Sequence, residues 1–402
     1  MNELAVTIKG ADPVLLRRIR ALTVLSTLRS AGPLALTPLA ARSGLSRPVA
    51  QTVVDELAGA GWIDTAADDT GTDTVRSVGR PARLFRFRSE AGHVAGIDIG
   101  AHSVSAVISD LAGTLRAQSR ITVSPGDGAD ARLAATRTAI ANAARDAGIE
   151  PADLWSAGLA TTGVVDHAGR VVKSVALPEW SGLDLGAAFT DTLPCALHVE
   201  NDCRAAALAE RWQGAAQGTD DLVYIHAGLR TGAGVLVNGK PLRGYSGAAG
   251  EIGAMSALGW AEAPMHLISL PGLGAGIAPE DVAERVFTRA RAGDPLAQAA
   301  VERFSTALAQ GIVALCLTFD PQLVVLGGGI SRSADIVLGH ITEELERVCI
   351  RVPRIVASAL DREAVVLGAV RIALDMVDER FFTPGVAEPL APPQGHARAG
   401  RG

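Results

Sequence analysis

Leu15, Ile19, Leu22, Leu25 and Leu28 recur at the three- and four-residue spacing of one helical face. A first helix is therefore predicted over residues 13–30, ended by Ala31-Gly32-Pro33. Thr37-Pro38 reads as the next helix start, with Thr37 as N-cap and Pro38 in the first turn, and this short helix stops at Gly44. Ser46 caps a further helix whose first turn holds Arg47 and Pro48 and whose apolar stripe is Val49, Val53 and Leu57. The period then changes to two. Gly61-Trp62-Ile63 opens a strand, residues 64–78 form a polar loop, and residues 82–87 return as an alternating strand.

Two short helices joined by a tight Gly turn, followed by a hairpin, describe a winged helix-turn-helix. The polar N-terminal end of the second helix presents Ser46, Arg47, Gln51 and Thr52. Arg47 suits guanine or phosphate and Gln51 suits adenine. Arg76, Arg80 and Arg83 fall on or near the wing, where Arg80 beside Pro81 fits a narrow minor groove or a phosphate. The structural alternative is a small protein-binding module with the same outline.

The pattern beyond residue 90 is of short apolar strands that end in glycine or acid. Residues 94–99 form a strand ending at Asp98, ahead of Gly100, and residues 103–109 form a second. Such a turn can hold a metal–phosphate group, because a glycine lets the backbone approach closely. Asn201-Asp202 follows another apolar strand and precedes a helix over 205–213. An Asn-Asp pair at a strand end suits sugar hydroxyls, with the Asp also available as a general base. Residues 223–239 read as strand, Gly-rich turn and strand, with Gly232 and Gly234 at the turn. Residues 323–331 form a buried strand running into Gly327-Gly328-Gly329, a turn suited to a phosphate at a helix N-terminus.

Composition adds three constraints. The hydrophobic share is 48% and the aromatic share only 4%, which fits large cores of Ala, Val and Gly packed as helices on sheets. Net charge is −6, yet residues 1–90 hold 12 Lys and Arg against 9 Asp and Glu, leaving 25 against 34 beyond. A mildly basic head thus precedes an acidic body, which permits DNA as a partner. No apolar run approaches membrane-spanning length, no export signal opens the chain, and Cys195, Cys203, Cys316 and Cys349 show no paired spacing, so a cytoplasmic location is expected. Residues 279–311 look helical, and the Pro- and Gly-containing stretch from Phe381 onward lacks a period and reads as disordered.

The order of these motifs resembles the ROK family (repressors, open reading frames and kinases) over residues 15–375. The resemblance rests on Gly96-Ile97-Asp98-Ile99-Gly100, Leu177-Pro178-Glu179-Trp180, Glu200-Asn201-Asp202, Gly247-Ala248-Ala249-Gly250-Glu251-Ile252-Gly253 and Gly327-Gly328-Gly329. It implies an α/β chain: a winged helix-turn-helix followed by an actin-like (sugar kinase/ribonuclease H-like) body of two lobes with a cleft between them. The corresponding divisions are residues 1–90 for the head, 91–200 for the first lobe completed by a helix at 362–378, 201–361 for the second lobe, and a disordered tail at 379–402. The resemblance also implies a sugar or sugar-derivative ligand and a homodimer or homotetramer, and no membrane partner is expected.

Carried over residue by residue, Asn201 and Glu251 would hold sugar hydroxyls, and Asp202 would be the base of a kinase. The departures argue for lost catalysis. The kinase first loop normally reads Asp-hydrophobic-Gly-Gly-Thr, but here it is Asp98-Ile99-Gly100-Ala101-His102. Where Gly-Thr-Gly is usual, the chain has Gly228-Leu229-Arg230. The expected reading is therefore vestigial phosphate loops at Asp98, Gly100, Gly232, Gly234, Gly328 and Gly329. No catalytic residue is expected unless Asp202 serves an active kinase. The family's zinc segment is replaced by Gly253-Ala254-Met255, with His266 as the one nearby imidazole, so no metal and no cofactor are expected. The function this implies is a DNA-binding regulator, by default a repressor, of carbohydrate-related genes, which binds double-stranded operator DNA and a sugar-type effector.

Overall fold

The computed structural model describes residues 13–66, 83–270 and 279–383. Helix α1 (Pro13–Ala31) buries Ala21, Leu22, Val24, Leu25 and Leu28. The chain then enters the two-residue strand β1 (Leu34–Ala35) and passes directly into α2 (Leu36–Ser43). Thr37 is thus not the N-cap. Ala35 takes that position, because pairing of β1 with the wing keeps the backbone extended up to it. Pro38 still lies in the first turn, where its missing N–H removes no intrahelical bond. Gly44 ends α2 at φ +68, and α3 (Arg47–Gly59) follows with Ser46 at its N-cap position, although the Ser46 side chain makes no capping bond. Strands β2 (Ile63–Ala66) and β3 (Leu84–Phe87) complete a sheet of order β1-β3-β2. Of the expected strand 82–87, the described residues form it from Leu84 on, and residue 82 lies outside them.

The first lobe is built on β4 (His93–Ile99), β5 (Ser103–Asp110), β6 (Leu115–Thr122), α4 (Ala129–Asp146), β7 (Leu154–Thr161), the small hairpin β8 (Val164–Val165) and β9 (Val171–Lys173), α5 (Leu185–Phe189) and β10 (Ala196–Asn201). Its sheet has the order β10-β7-β4-β5-β6, with β4 antiparallel to β5 and parallel to β7. The central strand is buried on both faces, which is why residues 94–97 read as a continuous apolar run.

Helix α6 (Asp202–Gln213) leads into the second lobe: β11 (Leu222–Ala227), β12 (Thr231–Val237), β13 (Lys240–Pro241), α7 (Met265–Ile268), α8 (Pro279–Arg291), α9 (Pro295–Phe319), β14 (Leu323–Gly327), α10 (Ala334–Val348) and β15 (Arg354–Ala357). The sheet order is β13-β12-β11-β14-β15. Helix α9 is long and apolar enough to cross a membrane, but Phe304, Leu308 and Ile312 are buried in this lobe's core.

Helix α11 (Ala364–Phe381) returns to the first lobe and packs along β4 and β7, where Ser156 Oγ donates to Ala373 O at 2.8 Å. The tail boundary at 379 needs correction. Residues 379–381 are the last turn of α11, and Phe381 is buried among aromatic rings of the head and first lobe. Residues 384–402 lie outside the described residues.

Candidate functional site

In the head, α3 buries Ala50, Val53, Val54 and Leu57 and leaves Ser46, Arg47 and Thr52 exposed at its N-terminal end. Thr52 Oγ1 donates to Pro48 O at 3.2 Å. Gln51 is half-buried, and its Nε2 donates to Asp55 Oδ1 at 2.8 Å. An adenine contact by Gln51 therefore requires exchange of that bond. Arg83 lies with its guanidinium 5.6 Å from the Phe85 ring centroid, beside β3. Arg76 and Arg80 lie outside the described residues.

In the body, β4 and β10 end side by side on β7, which brings Asp98 and Asp202 to the same edge of the first lobe. Burial raises the Asp98 carboxyl to about 7, and the charge of Asp202 adds to the rise, with Arg120 opposing. Asp202 is the first residue of α6, and its Oδ1 accepts from Cys203 N at 2.8 Å and Asn201 Nδ2 at 2.9 Å. Burial raises its pKa as well, and His226 on β11 opposes that rise. Burial lowers the His226 imidazole while Asp202 pulls it back up. The two groups thus influence each other's charge, with no hydrogen bond between them. Glu251 is exposed, at the end of the loop after β13, and its carboxyl is raised by desolvation and then by Asp202.

Asn201 takes a different part from the one expected. It is the N-cap of α6: Oδ1 accepts from Cys203 N and Arg204 N, while Nδ2 donates to Gly163 O and Asp202 Oδ1. Two acceptor and two donor bonds use the whole hydrogen-bonding capacity of the amide, so it orients Asp202 rather than reaching for a hydroxyl.

The glycines expected in phosphate loops divide by position. Gly100 sits in the β4–β5 turn, which is stapled by Arg132. That guanidinium donates to Gly100 O at 2.6 Å, Ala101 O at 3.2 Å, Ser124 O at 2.7 Å and, through Nε, Asp127 O at 3.2 Å. Burial lowers the Arg132 pKa, Asp127 opposes that fall, and the charge of Arg230 of the other lobe adds to it. Gly232 and Gly234 are inside β12, not at the turn; the turn itself is residues 228–230. A Cβ on Gly234 would lie 2.2 Å from Cys203 O, and one on Gly232 would lie 2.7 Å from Cys203 Sγ, so both are small in order to pack against α6. Gly328, at φ +77, is pressed on the Ala227 carbonyl, and Gly329 opens a 3-10 turn with free space around it.

A buried ion network, whose pairing no sequence motif marks, lies between the lobes. Glu200 is 1% exposed. Its Oε1 accepts from Arg204 Nε at 2.7 Å and Asn201 N at 2.8 Å, and its Oε2 accepts from Arg243 Nε at 2.8 Å. Arg204 Nη1 donates to Gly247 O at 2.9 Å, and Arg243 also meets His198 Nε2. Gly247, at φ +83, lies so close to the first lobe that a Cβ would be 1.9 Å from Val165 O. The available signal was a charged residue inside the apolar strand Ala196-Leu197-His198-Val199-Glu200.

The segment after Glu251 offers Glu262 and His266 as donor side chains, and no group of three or more metal-donor side chains forms among the described residues. Trp260 organises the segment instead: Trp260 is 1% exposed, its carbonyl accepts from Thr231 Oγ1 at 3.0 Å, and its ring lies against Gly311 of α9.

The model of the ROK family matches residues 94–264 and 275–376. A xylose repressor of Caldicellulosiruptor bescii is 22% identical over 389 residues, covering 90% of this chain and 96% of the relative. A glucokinase of Thermotoga maritima is 28% identical over 251 residues, covering 55% of this chain and 79% of the relative. Among solved structures, a ROK family transcriptional regulator described as a homologue of the E. coli Mlc protein superposes with a TM-score of 0.69 at 22% identity, covering 90% of this chain and 97% of that one. The repressor and regulator matches run nearly end to end, whereas the kinase match is partial.

Proposed function

We propose that this chain, which belongs to the ROK family, is a sugar-responsive transcriptional regulator, by default a repressor of carbohydrate-related genes. One observation carries the reading: a head that presents an exposed polar helix end, Ser46-Arg47 with Thr52, packs through its core side onto a sugar-kinase-like body whose phosphate turn holds Leu229 and Arg230 in place of small residues. Triphosphate transfer needs that turn to accept and neutralise phosphates along a close-lying backbone. Here that turn carries bulk, and the carbonyls of the β4–β5 turn are taken by Arg132.

In this reading the head binds a palindromic operator as a dimer. Asp202 and Glu251 hold hydroxyls of a sugar-type effector in the cleft, with Asp98 beside them, and neither nucleotide nor zinc is required. Half-sites lie about one helical turn apart or a multiple of it, so a small change in head spacing on effector binding weakens DNA binding. The test is a gel shift or anisotropy titration on DNA upstream of the chain's own gene, with D-xylose and D-glucose among the added sugars. A specific complex shifted by one sugar is expected, and Arg47→Ala should weaken it by about 1–3 kcal/mol. Unchanged affinity of that variant would move the recognition surface elsewhere.

The raised carboxyl of Asp202 favours a second reading, an active sugar kinase with a DNA-binding head. Sugar-dependent ADP formation that is abolished by Asp202→Asn would establish it.

A further inference from the structure

Away from the cleft, the densest set of specific contacts lies where α11 meets the head. Trp212, the penultimate residue of α6, has the Arg371 guanidinium 5.5 Å from its ring centroid. Arg371 of α11 donates to Asp375 and, at 3.1 Å, to Asp378 Oδ2. The other oxygen of Asp378 accepts from Arg29 Nη1 of α1 at 2.7 Å. Arg29 is held in turn between two rings, 5.5 Å from the Phe87 centroid and 4.7 Å from that of Phe382. Phe382 stands edge-on to Trp62 at 5.1 Å, and Trp62 also meets Trp155 of β7 at 5.8 Å. The head's own α1 closes the end of α11, as Arg18 Nη2 donates to Phe381 O at 3.0 Å.

The other end of this path is the candidate site. Helix α6 starts at Asp202 and spans about 15 Å to Trp212. Near its start it is locked to α11, since a Cβ on Gly368 would lie 1.8 Å from Ala205 O. Helix α11 is locked to the sheet in the same way, with Gly158 against Ala369 O and Gly96 against Val366 O. Backbone-to-backbone contact of this kind leaves no compliant side chain between them, so α6, α11 and the first-lobe sheet shift as one unit. Asp378 then holds the guanidinium that rides on α6 and the one that belongs to the head.

We infer that Asp378 and Arg29 are positioning residues of a coupling joint, which transmits the state of α6 at the cleft to the orientation of the DNA-reading head. Arg is required at position 29, because only a planar guanidinium can stack between Phe87 and Phe382 while donating to a carboxylate. The regulatory meaning of the joint rests on the regulator reading above; its physical coupling does not.

The test is amide hydrogen exchange on the full chain, without DNA or sugar, in Arg29→Ala, Arg29→Lys, Asp378→Asn and the control Arg17→Ala, whose ion pair with Glu56 lies on the exposed side of the same helix. Coupling is reciprocal, so loosening the head end must loosen the far end. Arg29→Ala and Asp378→Asn should speed exchange in α3 and in the last turn of α6 by about tenfold, with β11 and β14 unchanged and Arg17→Ala without effect on α6. Arg29→Lys, which keeps the charge and the fold, should show a smaller rise at the same places. A change confined to the head in all three variants, or the same change in Arg17→Ala, overturns the inference. A chain that binds no DNA would remove the regulator reading and leave this exchange result standing.

Discussion

Glu200 shows how a single buried charge is tolerated. Burial pushes its carboxyl upward, but Arg204 and Arg243, with the Asn201 N–H, together outweigh that and hold it below the usual carboxylate range. Glu200→Gln leaves two guanidiniums without their counter-charge and should destabilise the chain by about 3–5 kcal/mol in urea denaturation; a cost under about 1 kcal/mol would show that the network is dispensable. Because the folded pKa is lowered, the stabilisation by Glu200 is present above its unfolded value of about 4.3 and is lost as pH falls through the folded one. Asp98 has the opposite sign. With its carboxyl raised to about 7, the folded chain keeps a proton that the unfolded chain has already released, so stability falls as pH rises between about 4 and 7. Asp98→Asn should remove that fall, by no more than about 4 kcal/mol at 1.36 kcal/mol per pH unit, and denaturation at pH 5 and pH 8 would show it. Asp98, Asp202 and Glu251 were legible in the sequence because each closes a local motif. His226 and Arg243 were not, because the carboxylates that act on them lie far away in sequence, on other elements; Arg204, four residues after its partner Glu200, closes no motif of its own.

At the scale of elements, glycines decide how closely helices and strands approach. The contact of Gly368 is with a backbone carbonyl, which cannot rotate away, and Gly329 has open space around it. Gly368→Ala should therefore cost about 1–3 kcal/mol or more through overpacking, whereas Gly329→Ala should be nearly neutral; equal effects in thermal denaturation would contradict the packing. The same geometry explains which elements the pattern revealed. The long strands and the helices of the head were legible because period two or 3.6 persists for a whole element. Strand β1 was not, since two residues carry no period. Gly232 and Gly234 read as a turn because Gly-rich sequence signals both turns and close packing, and only the position of α6 distinguishes them. Phe381 and Phe382 read as the start of a tail because the rings that cover them come from the head, some three hundred residues earlier in the sequence.

At the scale of the whole molecule, the contact of head and body is a shared core. Trp62 and Phe87 of the head, Trp155 of β7 and Phe381 and Phe382 at the end of α11 touch one another ring to ring, and the head's Leu25, Leu28 and Leu57 belong to the same cluster as Val366, Val370 and Leu374 of α11. A chain lacking residues 1–88 would expose this surface and lose the Arg18 bond to the α11 terminus. Uncovering roughly 200 Å² of aromatic surface at about 25 cal/mol per Å² costs about 5 kcal/mol. The shortened chain is therefore expected to melt several degrees lower than the full chain and to bind an apolar dye at the bared end of α11, while the full chain melts in one calorimetric transition with head and body together. A body that keeps its melting temperature after the head is removed would mean that the head is tethered rather than built in, with no rigid route from the body to α3.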